Sequence, residues 1–144
     1  MFRLFKKTIA PPPDPLVPVL DFIKLFEQGK FKRALGFHKK HDHYLPETLA
    51  LRQAIMGCGL VYGREWVDFI PKHMQYLMEP DNLMKLSAQE LQTTLTGLIR
   101  LDHLGEGFVL SSCCQSGIVF AMLKRLECLH VQGEMAPLLK PAKH

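Results

Sequence analysis

The chain has 144 residues, 47% of them apolar and 22% charged, a mixture that fits one globular domain with a continuous core. No apolar run approaches the ~20 residues needed to span a bilayer. The N-terminal M-F-R-L-F-K-K-T-I-A-P-P-P also lacks the apolar stretch of a signal peptide, so a cytoplasmic location is expected. Residues 1–45 carry nine Lys/Arg against four Asp/Glu, and residues 46–144 nine against ten, so the formal charge of +4 belongs to the N-terminal third. That excess falls short of the sharp basic stripe of a dedicated nucleic-acid binder.

Residues 1–13 read as a flexible tail, because Pro11, Pro12 and Pro13 favour an extended polyproline conformation. Asp14 followed by Pro15 has the form of a helix N-cap with proline at the first helical position. Leu16, Val19, Leu20, Phe22, Ile23 and Phe26 then recur at spacings of mostly three and four, one apolar face of a helix that stops at Gly29. Residues 30–45 are irregular, basic and aromatic. Pro46 opens a second helix with Glu47 in its first turn, where the dipole favours an acid. Leu49, Arg52, Ile55 and Met56 form its stripe, and Gly57 and Gly59 end it. Trp66, Val67, Phe69 and Ile70 are bulky anchors, with Pro71 expected to break or start a helix. Met74, Leu77 and Met78 carry the apolar pattern on to Pro80. Trp66, Met74 and Met78 read as core or as an exposed interaction patch, with the core as the default place.

Ser87 and Glu90 form an S-x-x-E capping box. Leu91, Leu95, Leu98 and Ile99 make the buried face of the helix that follows, with Gly105 as its stop. A short helix over about 107–116 ends at Gly117. Ile118 to Leu129 is apolar nearly all round, as in a central buried helix, with Lys124, Arg125 and His130 gathered towards its end. No useful strand alternation and no internal repeat is present. The fold expected is all-α, a single compact bundle of five or six short helices over 14–132, with a C-terminal tail over 133–144.

The polar residues concentrate at one junction, R-L-D-H-L-G-E-G, from Arg100 to Gly107. Together with Q-S-G-I (Gln115–Ile118) and L-K-R-L (Leu123–Leu126), this junction resembles a small bacterial family known only as a domain of unknown function. Arg100, Asp102, Glu106, Gly107, Ser116, Gly117, Arg125 and Leu126 fall on that family's pattern. His103 and Leu104 depart from it, standing where the pattern has arginine and phenylalanine. The resemblance implies a helical domain and no activity.

At this junction Arg100 and His103, three apart, share a helix face while Asp102 points elsewhere. Arg100, Asp102, His103 and Glu106 are therefore the candidate cluster. The favoured reading is an arginine–carboxylate clamp at a helix corner. The functional reading is a small enzyme in which Asp102 and Glu106 are paired acids or His103 is a base, and a partner-binding surface is the third reading. His38, His41, His43 and Asp42 form H-K-K-H-D-H, but two lysines and the wrong spacing speak against a metal site, and no metal or other cofactor is expected. Lys32, Arg33, Lys39 and Lys40, interleaved with Phe31, Phe37 and Tyr44, are the candidate nucleic-acid surface, by stacking plus phosphate contact. The bland alternative packs Phe31, Leu35 and Phe37 on the core. Four cysteines without a C-x-x-C pair are expected as reduced thiols, and the adjacent Cys113 and Cys114 as buried and inert. With no nucleotide loop, triad or metal set, the sequence reads best as a non-enzymatic interaction module with a protein partner. Nucleic acid and self-association are the other partners considered.

Overall fold

The computed structural model describes residues 13–29, 31, 46–105 and 108–141, all helix, turn and loop with no strand among them. The all-α expectation holds. The helices are α1 (Val17–Leu20 and Phe22–Glu27, interrupted at Asp21), α2 (Pro46–Gly57), α3 (Trp66–Leu77), α4 (Pro80–Leu83), α5 (Ala88–Leu104), α6 (Phe108–Gln115) and α7 (Ile118–Val131), followed by a 3-10 turn at Ala136–Leu138. Against the five or six expected, the added element is α4, one turn opened by Pro80.

Helices α5 and α7 are the centre. The capping box starts α5 as read: Ser87 Oγ accepts from Glu90 N at 3.1 Å, and Glu90 Oε1 accepts from Ser87 N at 2.8 Å. Beyond the expected Leu91, Leu95, Leu98 and Ile99, every residue from 91 to 99 is buried, including Gln92, Thr93, Thr94 and Thr96. Buried polar groups must find partners. Thr94 Oγ1 donates back to Glu90 O at 2.7 Å. Gln92 Nε2 and Thr96 Oγ1 reach the loop carbonyls of Leu60 and Tyr62, and Thr96 Oγ1 accepts from Tyr62 N. This network moulds residues 60–62 onto α5.

Gly97 lets α3 lie against α5. A β-carbon there would stand 2.7 Å from Ile70 Cγ1 and 3.2 Å from Trp66 Cβ. Pro71, expected to break or start a helix, lies inside α3, which continues past it with its dihedrals distorted at His73 (φ −114°, ψ 16°). Proline removes one i→i−4 bond without ending a helix whose apolar side is otherwise packed.

In α2 the buried face is Thr48, Leu51 and Ile55, whereas Leu49 and Met56 are exposed. Of the stripe read from the sequence, Ile55 faces the core, Leu49 and Met56 do not, and Arg52 is partly buried for a polar reason given below. At the chain's start, Asp14 Oδ1 accepts from Leu16 N at 2.9 Å, but the helix begins at Val17 with Leu16 as its N-cap and no side-chain cap, two residues later than Asp14–Pro15 suggested; Asp14 Oδ2 lies 2.6 Å from His130 Nε2. Phe31 is buried and stacks on Phe26 at 4.1 Å, the core reading of that residue. After α7 the chain stays packed: Met135 is buried, Tyr62 Oη donates to Leu138 O at 2.6 Å, and Lys140 N donates to Gly59 O at 3.0 Å.

Candidate functional site

The polar cluster of the sequence divides in space. Asp102, in the last turn of α5, is fully buried, whereas Arg100 and His103 on the same helix are exposed. This is the split that their spacing implies. Glu106 lies outside the described residues. Asp102 Oδ1 accepts from Leu110 N at 2.8 Å, taking up an N–H of the first turn of α6 that has no partner within its own helix. Asp102 Oδ2 accepts from Arg52 Nε at 3.2 Å. The arginine that meets the buried acid comes from α2, 50 residues earlier, and not from Arg100. Local spacing alone could not name it.

One carboxylate therefore ties three helices together. Its charge is matched by a guanidinium and a backbone N–H, which a buried carboxylate requires. Arg52 keeps 16% side-chain exposure and passes its outer edge to Met56 Sδ at 3.1 Å, so its own desolvation is incomplete. A general acid or base must reach a substrate proton. Asp102 has no exposed surface and both oxygens are engaged, so as placed it meets no substrate.

Beside this corner lies an apolar groove of about 390 Å³, within the ~300–1,000 Å³ range of ligand-sized sites. One wall is α3, with Ile70, Met74, Leu77 and Met78. The floor is α5, with Thr94, Leu98 and Leu101. The opposite wall is α6, with Phe108, Val109, Ser112 and Cys113, and Ile118 and Met122 of α7 also line it. No lining side chain is charged. Met74, Met78 and Phe108 are 42%, 53% and 51% exposed, so the two methionines assigned to the core by default are surface residues instead. Phe108 and Val109 immediately precede Leu110, whose N–H the Asp102 carboxylate holds. The buried corner and the groove wall are one construction.

The groove was hard to see in the sequence because its residues fit a core pattern equally well. The signal was the run from Phe108 to Leu123, which contains no charged residue although α6 is only partly covered.

All four cysteines are free. Burial, with the Asp102 charge adding to it, pushes the Cys113 thiol up to about 11, and burial raises Cys114 further. These thiols stay protonated and are poor nucleophiles at neutral pH. Lys32, Arg33, Lys39 and Lys40, with the histidines of 38–43, lie outside the described residues. Among the described residues no group of three His, Cys, Asp or Glu is placed to hold a metal. No helix is long and apolar enough to cross a membrane.

A family of unknown function, DUF6508, matches residues 14–131 of the chain. The chain belongs to that family. No curated protein and no solved structure matches it. Five of the eight positions that carried the likeness to a domain of unknown function have physical roles in this member of DUF6508, while Arg100 is exposed and Glu106 and Gly107 lie outside the described residues. Asp102 holds α6. Gly117 takes φ +87° to turn α6 into α7, a conformation that side chains disfavour. Ser116 Oγ donates to Cys113 O at 3.2 Å at the end of α6. Arg125 Nε donates to Leu86 O at 2.8 Å, fastening α7 to the entry of α5, and Leu126 is fully buried.

Proposed function

We propose that this DUF6508 protein is a helical interaction module whose recognition surface is the groove between α3, α5 and α6. The observation that carries this reading is the groove's lining: continuous, uncharged and bordered by exposed methionines, with its α6 wall tied to the buried Asp102 through Leu110 N. Flexible methionine side chains suit surfaces that adapt to apolar anchors of a partner. The polar cluster beside it serves the groove. Asp102 fixes the start of α6, and with it Phe108 and Val109, at a set distance from α3.

The test compares two baits, the wild-type chain and Met78→Glu, in native extract. Met78 is 53% exposed, so the substitution places a charge in the groove and leaves the core untouched. Stoichiometric capture by wild type and loss of the captured protein by Met78→Glu, with equal helical content, is the expected result. Equal capture by both baits, or capture by neither, removes the groove as the recognition surface.

A further inference from the structure

We infer that a second, smaller cavity, between α3 and the entry of α5, is a binding site for a quaternary ammonium group. It shares no residue with the groove. Where the groove takes Ile70, Met74 and Leu77 of α3, this cavity takes Phe69, His73 and Tyr76, one position earlier each time, and Leu86 and Glu90 complete its lining. Its volume of about 240 Å³ falls below the ~300–1,000 Å³ of sites for whole small molecules, so it fits a headgroup.

The lining selects the chemistry of that headgroup. The Phe69 and His73 rings lie 4.6 Å apart and tilted by 44°, so they form a corner rather than a flat stack, and Tyr76 adds a third ring. The distorted dihedrals of α3 fall at His73 itself, in this wall, and backbone departures of this kind gather where side chains are set for a ligand. Leu86 is buried and offers apolar contact. Glu90 is the one Asp, Glu, Lys or Arg in the lining; Lys72 and Lys85, neighbours in sequence of lining residues, take no part in it. Glu90 Oε1 accepts from Ser87 N, while among the described residues Oε2 accepts no hydrogen bond and no lysine or arginine pairs with the carboxylate.

An anion is repelled by that carboxylate, and a neutral group gains nothing from it. A cation gains from the carboxylate and from the rings, whose quadrupoles attract a positive charge within ~6 Å of the centroid. A primary ammonium arrives with three N–H donors and tightly held water, which rings and a leucine do not replace. A quaternary ammonium has no donor to satisfy and turns its methyl groups to Leu86 and the rings.

Titration of the full chain with choline, followed by the ring protons of His73 and Tyr76 in NMR, tests this. Saturable shifts of both rings are expected, with the uncharged isostere 3,3-dimethylbutan-1-ol binding about tenfold more weakly. Tyr76→Ala and, separately, Glu90→Gln should each weaken choline severalfold. Both variants keep the fold: Tyr76 is 42% exposed, and glutamine preserves the capping box, so circular dichroism should not change. A trimethyllysine peptide and its unmodified lysine counterpart separate the sources of the group. Tighter binding of the methylated peptide than of choline assigns the site to a modified protein, and equal binding assigns it to the free headgroup. Absence of saturable shifts at tens of millimolar choline overturns the inference, as does equal binding of the isostere or indifference to both substitutions. Met78→Glu, in the groove, should leave choline binding unchanged, so this test and that of the groove fail independently.

Discussion

Replacing Asp102 by alanine removes the acceptor of Leu110 N and the counter-charge of Arg52 in one step. Loss of a side-chain cap on a helix N-terminus costs about 1 kcal/mol. Breaking a fully buried ion pair costs about 3–5 kcal/mol, but Arg52 retains 16% exposure and regains water, so about 2 kcal/mol is the appropriate share. The sum, about 3 kcal/mol, is a large part of the ~5–15 kcal/mol typical of a domain. Asp102→Asn keeps an oxygen for Leu110 N and loses only the charge, so it should cost about 1–1.5 kcal/mol. Arg100→Ala, at an exposed site, should stay within about 0.5 kcal/mol. Urea unfolding followed by circular dichroism, with fluorescence of Trp66, the chain's one tryptophan, as second probe, measures all three. Equal and small effects for Asp102→Ala and Arg100→Ala would refute the corner described here.

Gly97→Ala forces its β-carbon to within 2.7 Å of Ile70. Overpacking of about 1–3 kcal/mol, less the ~1 kcal/mol that alanine contributes to helix propensity, leaves a net loss of about 1 kcal/mol, read from the urea midpoint. Thr96→Val strands Tyr62 N and weakens the hold on Leu60 O, at a cost of about 1–3 kcal/mol, and hydrogen exchange at the Tyr62 amide should quicken. The Asp14 carboxyl is held below its usual 3.8 by the Leu16 N–H and then by His130. Because the folded value is the lower one, this contribution is present above pH 4 and fades as pH falls below it. Asp14→Asn should therefore lower the melting temperature near pH 5 and converge with wild type in stronger acid.

The capping box, the glycine at the α6–α7 turn and the apolar positions of α5 and α7 were legible in the sequence because each depends on residues within one helical turn or one face. The corner was half legible. Spacing put Asp102 on a different face from Arg100 and His103, but its partner comes from α2, and contact across 50 residues leaves no local trace. In α2 the same spacing fits two faces: Leu49 and Met56 lie three or four residues from Arg52, but the covered face is that of Thr48, Leu51 and Ile55. The groove was not legible. Methionine and leucine at helical spacing look the same whether a neighbouring helix covers them or leaves them open, and Pro71 within α3 obscured the continuity of its wall.

The account stands most directly on the accessibility of Cys113, which lines the groove with its thiol held at about 11. Its alkylation rate should be measured in native extract and in the purified protein at high dilution, with Cys128 as internal reference. Protection of Cys113 by severalfold in extract, with Cys128 unchanged, is the predicted result. Equal rates for Cys113 in both settings would mean that the groove stays empty where the protein works, and would contradict its role in recognition.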